Sequence, residues 1–467
     1  MRIFNRSKSI YLFHSIALVL LIAGNLQFTV AQSQAFTPSA ENDTFLSGIF
    51  SKHEKLYRNE LLSLPAGNRK DFEKAYQERW TSIKEKFDNR EIYTAADATQ
   101  YLNSLVQEIV RSNPALQNSV FDVYFSLSDA PNASYIGEGI ILFNLGLFQK
   151  LNNESQVVFV LCHEISHFYF QHSENSIRKY VTDINSPRVQ SELKKINKNE
   201  FKKGEQIEKL VKGLVFNDRR HSRDHEKEAD SMGIELMRNT RFDISEALTA
   251  LGMLDSIDNE TFDTNDCLQK IFDFKEYPFK KNWIHKEDGL LGGHARLETD
   301  NVLADSLKTH PDCLLRIEML RPLIDRYRSV SAIKNVVDKS KFDELRRRAA
   351  YEIIEHSYLL NDYATSLYNT LKLLRASPSD AYLITQVGRI FNGFYNAQKM
   401  HTLGKVARLP SPYYPPAYND LLQFIQNLYL QDFAQISNNY LKQYEQPLQY
   451  YIPFTNEYNI SLRITKP

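Results

Sequence analysis

An apolar run, Val157-Val158-Phe159-Val160-Leu161-Cys162, resumes at Phe168-Tyr169-Phe170 after a polar interruption. Its length predicts a buried helix, and the interruption is His163-Glu164-Ile165-Ser166-His167. Upstream, residues 46–110 carry helical periodicity, first through Phe72, Ala75, Tyr76 and Trp80, then through Ala98, Tyr101, Leu102, Leu105 and Ile109. Asn118 to Leu127, with Val120, Phe121, Val123, Tyr124 and Phe125, predicts a strand, and Gly139–Phe143 predicts a second just before the buried helix. Between about 175 and 220 the text becomes charged and Lys-rich around Pro187, which predicts an exposed helical insertion. A helix follows over 242–256, then a loop-rich stretch from Asp258 to Arg296.

Beyond about residue 330 almost everything reads as helix. Asn361 to Tyr382 has the small-residue positions and the Pro378 of a tetratricopeptide repeat. One copy is visible where three normally make a solenoid, so an ordinary helical domain fits equally well. The pattern predicts an α+β, mostly α-helical protein: a leader over 1–31, a domain with a small β-sheet over 32–330, and an all-α region over 331–467.

Composition narrows the classes. A chain of 467 residues exceeds one compact core. Lys+Arg and Asp+Glu both number 57, so no net field draws nucleic acid or anionic lipid. Arg2, Arg6 and Lys8 precede an apolar segment from Ile10 to Ile22, and Thr29-Val30-Ala31 offers a small-x-small cleavage site before Gln32. An exported protein is expected, periplasmic or otherwise extracytoplasmic, soluble or peripherally membrane-associated, with no integral membrane span after signal removal. The alternative is an uncleaved anchor, since Ile10–Phe28 nearly suffices to span a bilayer. Cys162 reads as a buried small hydrophobe, while a Cys267–Cys313 disulfide is left open.

The polar interruption carries the chemistry. Two histidines four apart lie one turn apart on one helix face, from which both can reach a single zinc ion. Glu164, next to the first, is placed to hold a water and take its proton. Zinc in a catalytic site takes three protein ligands. The long motif that would put a third histidine six residues past His167 is excluded, because Ser173 stands there. Glu174 is expected too far along the same helix, and His172 off its ligand face. Glu226 is the best candidate, since Glu226, Ala229, Asp230 and Gly233 share one helix face whose small residues allow close packing. Asp230 could then orient a liganding histidine. His221 and His225 are rival ligands at i and i+4.

His-Glu-x-x-His followed by Glu-x-x-Ala-Asp resembles the zinc peptidases typified by the CAAX prenyl protease and HtpX. The likeness extends through Asn132-Ala133, Gly139-Ile140, Gly146-Leu147, Asn153-Glu154-Ser155 and Thr309-His310-Pro311 with Arg316. Without further membrane spans, the chain looks most like the soluble exported BepA-like branch. The resemblance implies a zincin-type domain with one Zn2+ on His163, His167 and Glu226, Glu164 as general base, and His310 and Arg316 as catalytic candidates for steadying the oxyanion. His310 could also occupy the open position of the ion. It implies a metalloendopeptidase acting on protein or peptide substrates of the extracytoplasmic space, in quality control of unfolded or misassembled proteins, with the C-terminal helices available to protein partners. The Gly139–Phe143 strand is expected to offer its edge to an extended peptide. The competing class is a non-enzymatic chaperone or assembly factor that binds clients through those helices; an intact Glu164 argues against it. A zinc aminopeptidase would need groups that capture a substrate terminus, and no motif supplies them.

Overall fold

The computed structural model describes residues 35–198, 223–256, 262–284, 313–327 and 332–466. The leader, the end of the charged insertion with His221, the glycines of the 258–296 loop, and His310 lie outside them.

Three strands form the sheet: β1 (Asp122–Ser126), β2 (Ala133–Gly137) and β3 (Ile140–Asn144), in the order β1-β3-β2. β3 runs parallel to β1 and antiparallel to β2. Its run Ile140-Ile141-Leu142-Phe143 is buried on both faces, as suits a covered central strand. The alternation divides it cleanly. Ile140 and Leu142 meet Ile49, Trp80, Ile83 and Phe87 of α1 (Asp43–Leu62) and α2 (Arg69–Asp88). Ile141 and Phe143 join the main core with Leu105 and Ile109 of α3 (Ala96–Ser112).

β2 was not legible, and its presence corrects one expectation. Gly139–Phe143 is not an edge but falls in the central strand; the outer strands are β1, whose far side is bonded to Glu91 and Tyr93, and β2, whose Ser134, Tyr135 and Ile136 are half-buried. The β2–β3 turn keeps three consecutive residues at positive φ: Gly137 at 101°, Glu138 at 49° and Gly139 at 72°. A Cβ at Gly139 would stand 2.8 Å from the Val120 carbonyl oxygen, so only glycine fits there.

After the single turn α4 (Leu145–Phe148), the buried helix is α5 (Glu154–Tyr169), capped by Asn153, whose side chain accepts from the Gln156 N–H. It stops sooner than expected. Gln171 takes a left-handed conformation (φ 54°), and a separate helix, α6 (His172–Ile184), begins at His172. Glu174 therefore does not lie on the same helix as His167. α7 (Pro187–Lys198) continues the charged segment. Past the undescribed stretch come α8 over 223–238, α9 (Glu246–Ser256), α10 (Thr264–Phe272) and α11 (Cys313–Tyr327). Val157, Val158, Leu161 and Ile165 of α5 share the main core with Ile234 and Met237 of α8 and Leu251 of α9. The N-terminus of α5 is also tied to the chain ahead of the C-terminal helices: Glu154 accepts from the N–H groups of Val336, Val337 and Asp338 and from the Tyr101 hydroxyl.

The C-terminal region is all helical, built on α12 (Lys339–Leu359), α13 (Tyr363–Ala376), α14 (Ala381–Lys399), α15 (Leu403–Val406), α16 (Pro416–Asn427), α17 (Leu430–Lys442), α18 (Glu445–Leu448) and α19 (Ile452–Ile464). Asp362 and Asp380 cap α13 and α14. The cores do not follow the chain order. Phe342, Leu345, Ala349 and Ile353 of α12 enter the main core, whereas Cys267, Leu268, Phe272 and Trp283 join the C-terminal one. All three cysteines are buried, and none of them is in a disulfide. No helix among the described residues is long and apolar enough to cross a membrane.

Candidate metal centre

The helical period of α5 brings the rings of His163 and His167 together, with their Nε2 atoms 3.1 Å apart. α8 supplies the carboxylate between them. Glu226 Oε1 lies 3.3 Å from His167 Nε2, and Oε2 lies 3.5 Å from His163 Nε2. One donor atom from each of the three falls within 4.8 Å of the others. The approach depends on Gly233, where a Cβ would sit 3.3 Å from the His163 backbone nitrogen, and on Ala229, fully buried.

Each imidazole is held from behind. The Nδ1–H of His163 meets Asp230 Oδ1 at 2.9 Å, which turns Nε2 toward Glu226. Arg316 on α11 grips Asp230 bidentately, through Nε to Oδ2 and Nη2 to Oδ1, each 2.7 Å, and its Nη1 stands 3.2 Å from Glu226 Oε2. The guanidinium of Arg316, expected from the resemblance to steady an oxyanion, is buried and faces Asp230 and Glu226. His167 Nδ1 lies 2.9 Å from Nδ1 of His172, a partner the sequence reading set aside. A single helix continued through residue 172 would turn that ring off the ligand face. The overlooked signal was the change from Phe168-Tyr169-Phe170 to Ser173-Glu174, with an acidic residue in a new first turn. His225 stacks on His172 with ring centroids 4.0 Å apart and is not part of the three-residue cluster.

Glu164 is buried beside the cluster, with Oε2 accepting from the Tyr135 N–H at 2.8 Å and Oε1 3.9 Å from His163 Nε2. Burial raises its pKa above the ordinary carboxylate range.

The field is made for a cation. Burial opposes charge on His163, yet hydrogen bonds to Asp230 and Glu226 outweigh it and push the imidazole up to about 10. Burial also opposes the charge of Glu226, but His163, His167 and Arg316 hold it well below the carboxylate range. Glu226 Oε2 is buried and makes no well-directed hydrogen bond, with the Arg316 Nη1 ion pair at 3.2 Å beside it, so it keeps lone-pair capacity that a cation would use. Two imidazole nitrogens and one carboxylate form a donor set suited to catalytic zinc. The residues fit the ion.

Residues 96–324 match the family model described as Peptidase family M48. No curated protein matches the chain. The matched segment contains β1 to β3, α5, α8 and every residue of the cluster, and its family is one of metal-dependent peptidases. With its two-histidine, one-glutamate cluster, the segment from 96 to 324 is a member of peptidase family M48.

Proposed function

We propose that the chain is a zinc-dependent metalloendopeptidase that cleaves peptide bonds of extracytoplasmic proteins, including unfolded or misassembled ones. The observation that carries this reading is the convergence of His163, His167 and Glu226, with the Glu164 carboxylate buried at their side. A zinc ion on those three residues would supply a Lewis acid for the scissile carbonyl and lower the pKa of a water toward about 7. Glu164 takes the proton of the attacking water and returns it to the leaving amine. Asp230 and Arg316 hold the ligand set in one geometry, so little reorganisation accompanies the reaction.

Substrate choice follows from the edge strand. β2 offers backbone groups to which an extended peptide adds by main-chain hydrogen bonds, a mode that reads little side-chain identity. Such binding suits unfolded chains of varied sequence, and the basic and apolar leader directs the protein to where they would be met. Cleavage of casein by the purified protein, abolished by a chelator and restored by zinc, tests the reading. Zinc binding without any hydrolysis would instead favour a client-binding assembly factor.

A further inference from the structure

His163 and His167 are held by different chemistry. Behind His163 stands a carboxylate clasped by an arginine; behind His167 stands another histidine. We propose that His172 is the positioning residue for His167, accepting its Nδ1–H and passing its own Nε2–H to Glu228. The inference rests on the zinc reading above.

The protons of this chain of groups can be assigned in one way. The Nε2 of His167 faces Glu226 at 3.3 Å and must be bare to meet a cation, so its proton sits on Nδ1. That nitrogen is 2.9 Å from His172 Nδ1, and two facing imidazole nitrogens share only one proton. His172 Nδ1 is therefore the acceptor, and its own proton lies on Nε2. That nitrogen is 3.2 Å from Glu228 Oε2, a carboxylate able to receive it. Every donor in the series meets an acceptor.

The fold fixes the ring as well as the proton. The break at Gln171 swings the chain so that the first residue of α6 returns to the end of α5. The His172 side chain is 6 % exposed. Its ring lies parallel to His225, with 9° between planes at 4.0 Å, and stacks on Phe170 with 22° between planes at 5.5 Å. A phenyl ring could keep both stacks but could not accept the His167 proton.

Zinc affinity of the purified full-length chain, measured by competition with a chromophoric chelator, tests the assignment. H172F is expected to bind zinc roughly 10–100-fold more weakly, the usual effect of losing such a partner, while the metal-free protein melts as the wild type does. H172N, whose amide both accepts and donates, should recover most of the affinity. E228Q, altered at a side chain 59 % exposed and so unable to disturb the core, should weaken binding a few-fold. Wild-type affinity in both H172F and E228Q would overturn the proposal, as would H172N binding as weakly as a folded H172F. If H172F does not fold, unaltered affinity in E228Q alone overturns it. Failure of the wild type itself to bind zinc, or unchanged binding in E226Q, would instead remove the metal reading on which it rests.

Discussion

The backbone N–H of Tyr135, on the edge strand β2, donates to Oε2 of Glu164 across 2.8 Å. One hydrogen bond thus joins the outer strand proposed to take substrate and the carboxylate proposed to take the proton. It holds one oxygen of Glu164 and leaves the other toward the histidines.

Glu164→Gln keeps the acceptor for Tyr135 and removes the base. Zinc content of the purified variant should equal that of the wild type, while peptide hydrolysis falls about 10²–10⁴-fold. Metal analysis beside a cleavage assay checks both halves, and undiminished cleavage would sink the assignment.

Arg316 neutralises Asp230 and Glu226 from a buried position. Arg316→Met leaves both carboxylates without it, and urea unfolding should show a loss of about 3–5 kcal/mol. Arg316→Lys should recover little, since an ammonium cannot reproduce the bidentate grip. An arginine serving only the oxyanion would behave otherwise, with turnover lost and stability kept.

Gly233 sets the separation of α8 from α5. A methyl group there meets the backbone of His163, at 3.3 Å from N and 3.4 Å from Cα, which cannot yield as a flexible side chain would. Gly233→Ala should cost about 1–3 kcal/mol and weaken zinc binding. Gly252→Ala on α9, where a Cβ meets nothing within 4 Å, should instead add about 0.5–1 kcal/mol. Thermal melts of the two variants should move in opposite directions.

Arg79 is shared by three carboxylates: Glu60 at 2.7 Å, Glu138 at 2.8 Å and Glu174 at 3.4 Å. Tyr135 reaches the same group through its hydroxyl, which donates to Glu174 at 2.7 Å. Burial, with the neighbouring Glu60 and Glu174 charges, outweighs the pull of Arg79 and raises Glu138 from 4.5 to about 7. An acid whose folded pKa lies above its unfolded value holds its proton more tightly in the folded state. Its contribution is complete below the unfolded pKa and is lost as pH rises through the folded one. Denaturation across pH 4.5 to about 7 should show this decline in the wild type. Glu138→Gln, which cannot ionise, should gain on the wild type as pH climbs through that window; a constant difference would refute the assignment.

Local periodicity made much of this readable. The four-residue spacing of His163 and His167 places them together on any α-helix, and the apolar run 140–143 reads as a strand wherever it is buried. The face shared by Glu226, Ala229, Asp230 and Gly233 is equally local, which is why a partner for the metal helix could be named. Three other features gave no such signal. β2 is a short Ala-Ser-Tyr-Ile-Gly run that ends in glycine and acquires its pairing only from β3. The turn at Gln171 uses a left-handed residue that is not glycine, a conformation with a cost that only surrounding contacts offset. The segment 262–284, read as loop but holding helix α10, packs on the C-terminal helices instead of on its chain neighbours.

From its residues alone, this protein was determined to be an α+β, mostly α-helical, peptidase-like chain with a histidine pair and a distant acid as candidate ligands. Tertiary structure alone decided that β3 is the central strand, that Arg316 faces Asp230 and Glu226, and that His172 stands behind His167. The physical reason is range: periodicity acts over one or two turns, whereas strand order, helix breaks and charge partners depend on surfaces that meet only when the chain has folded.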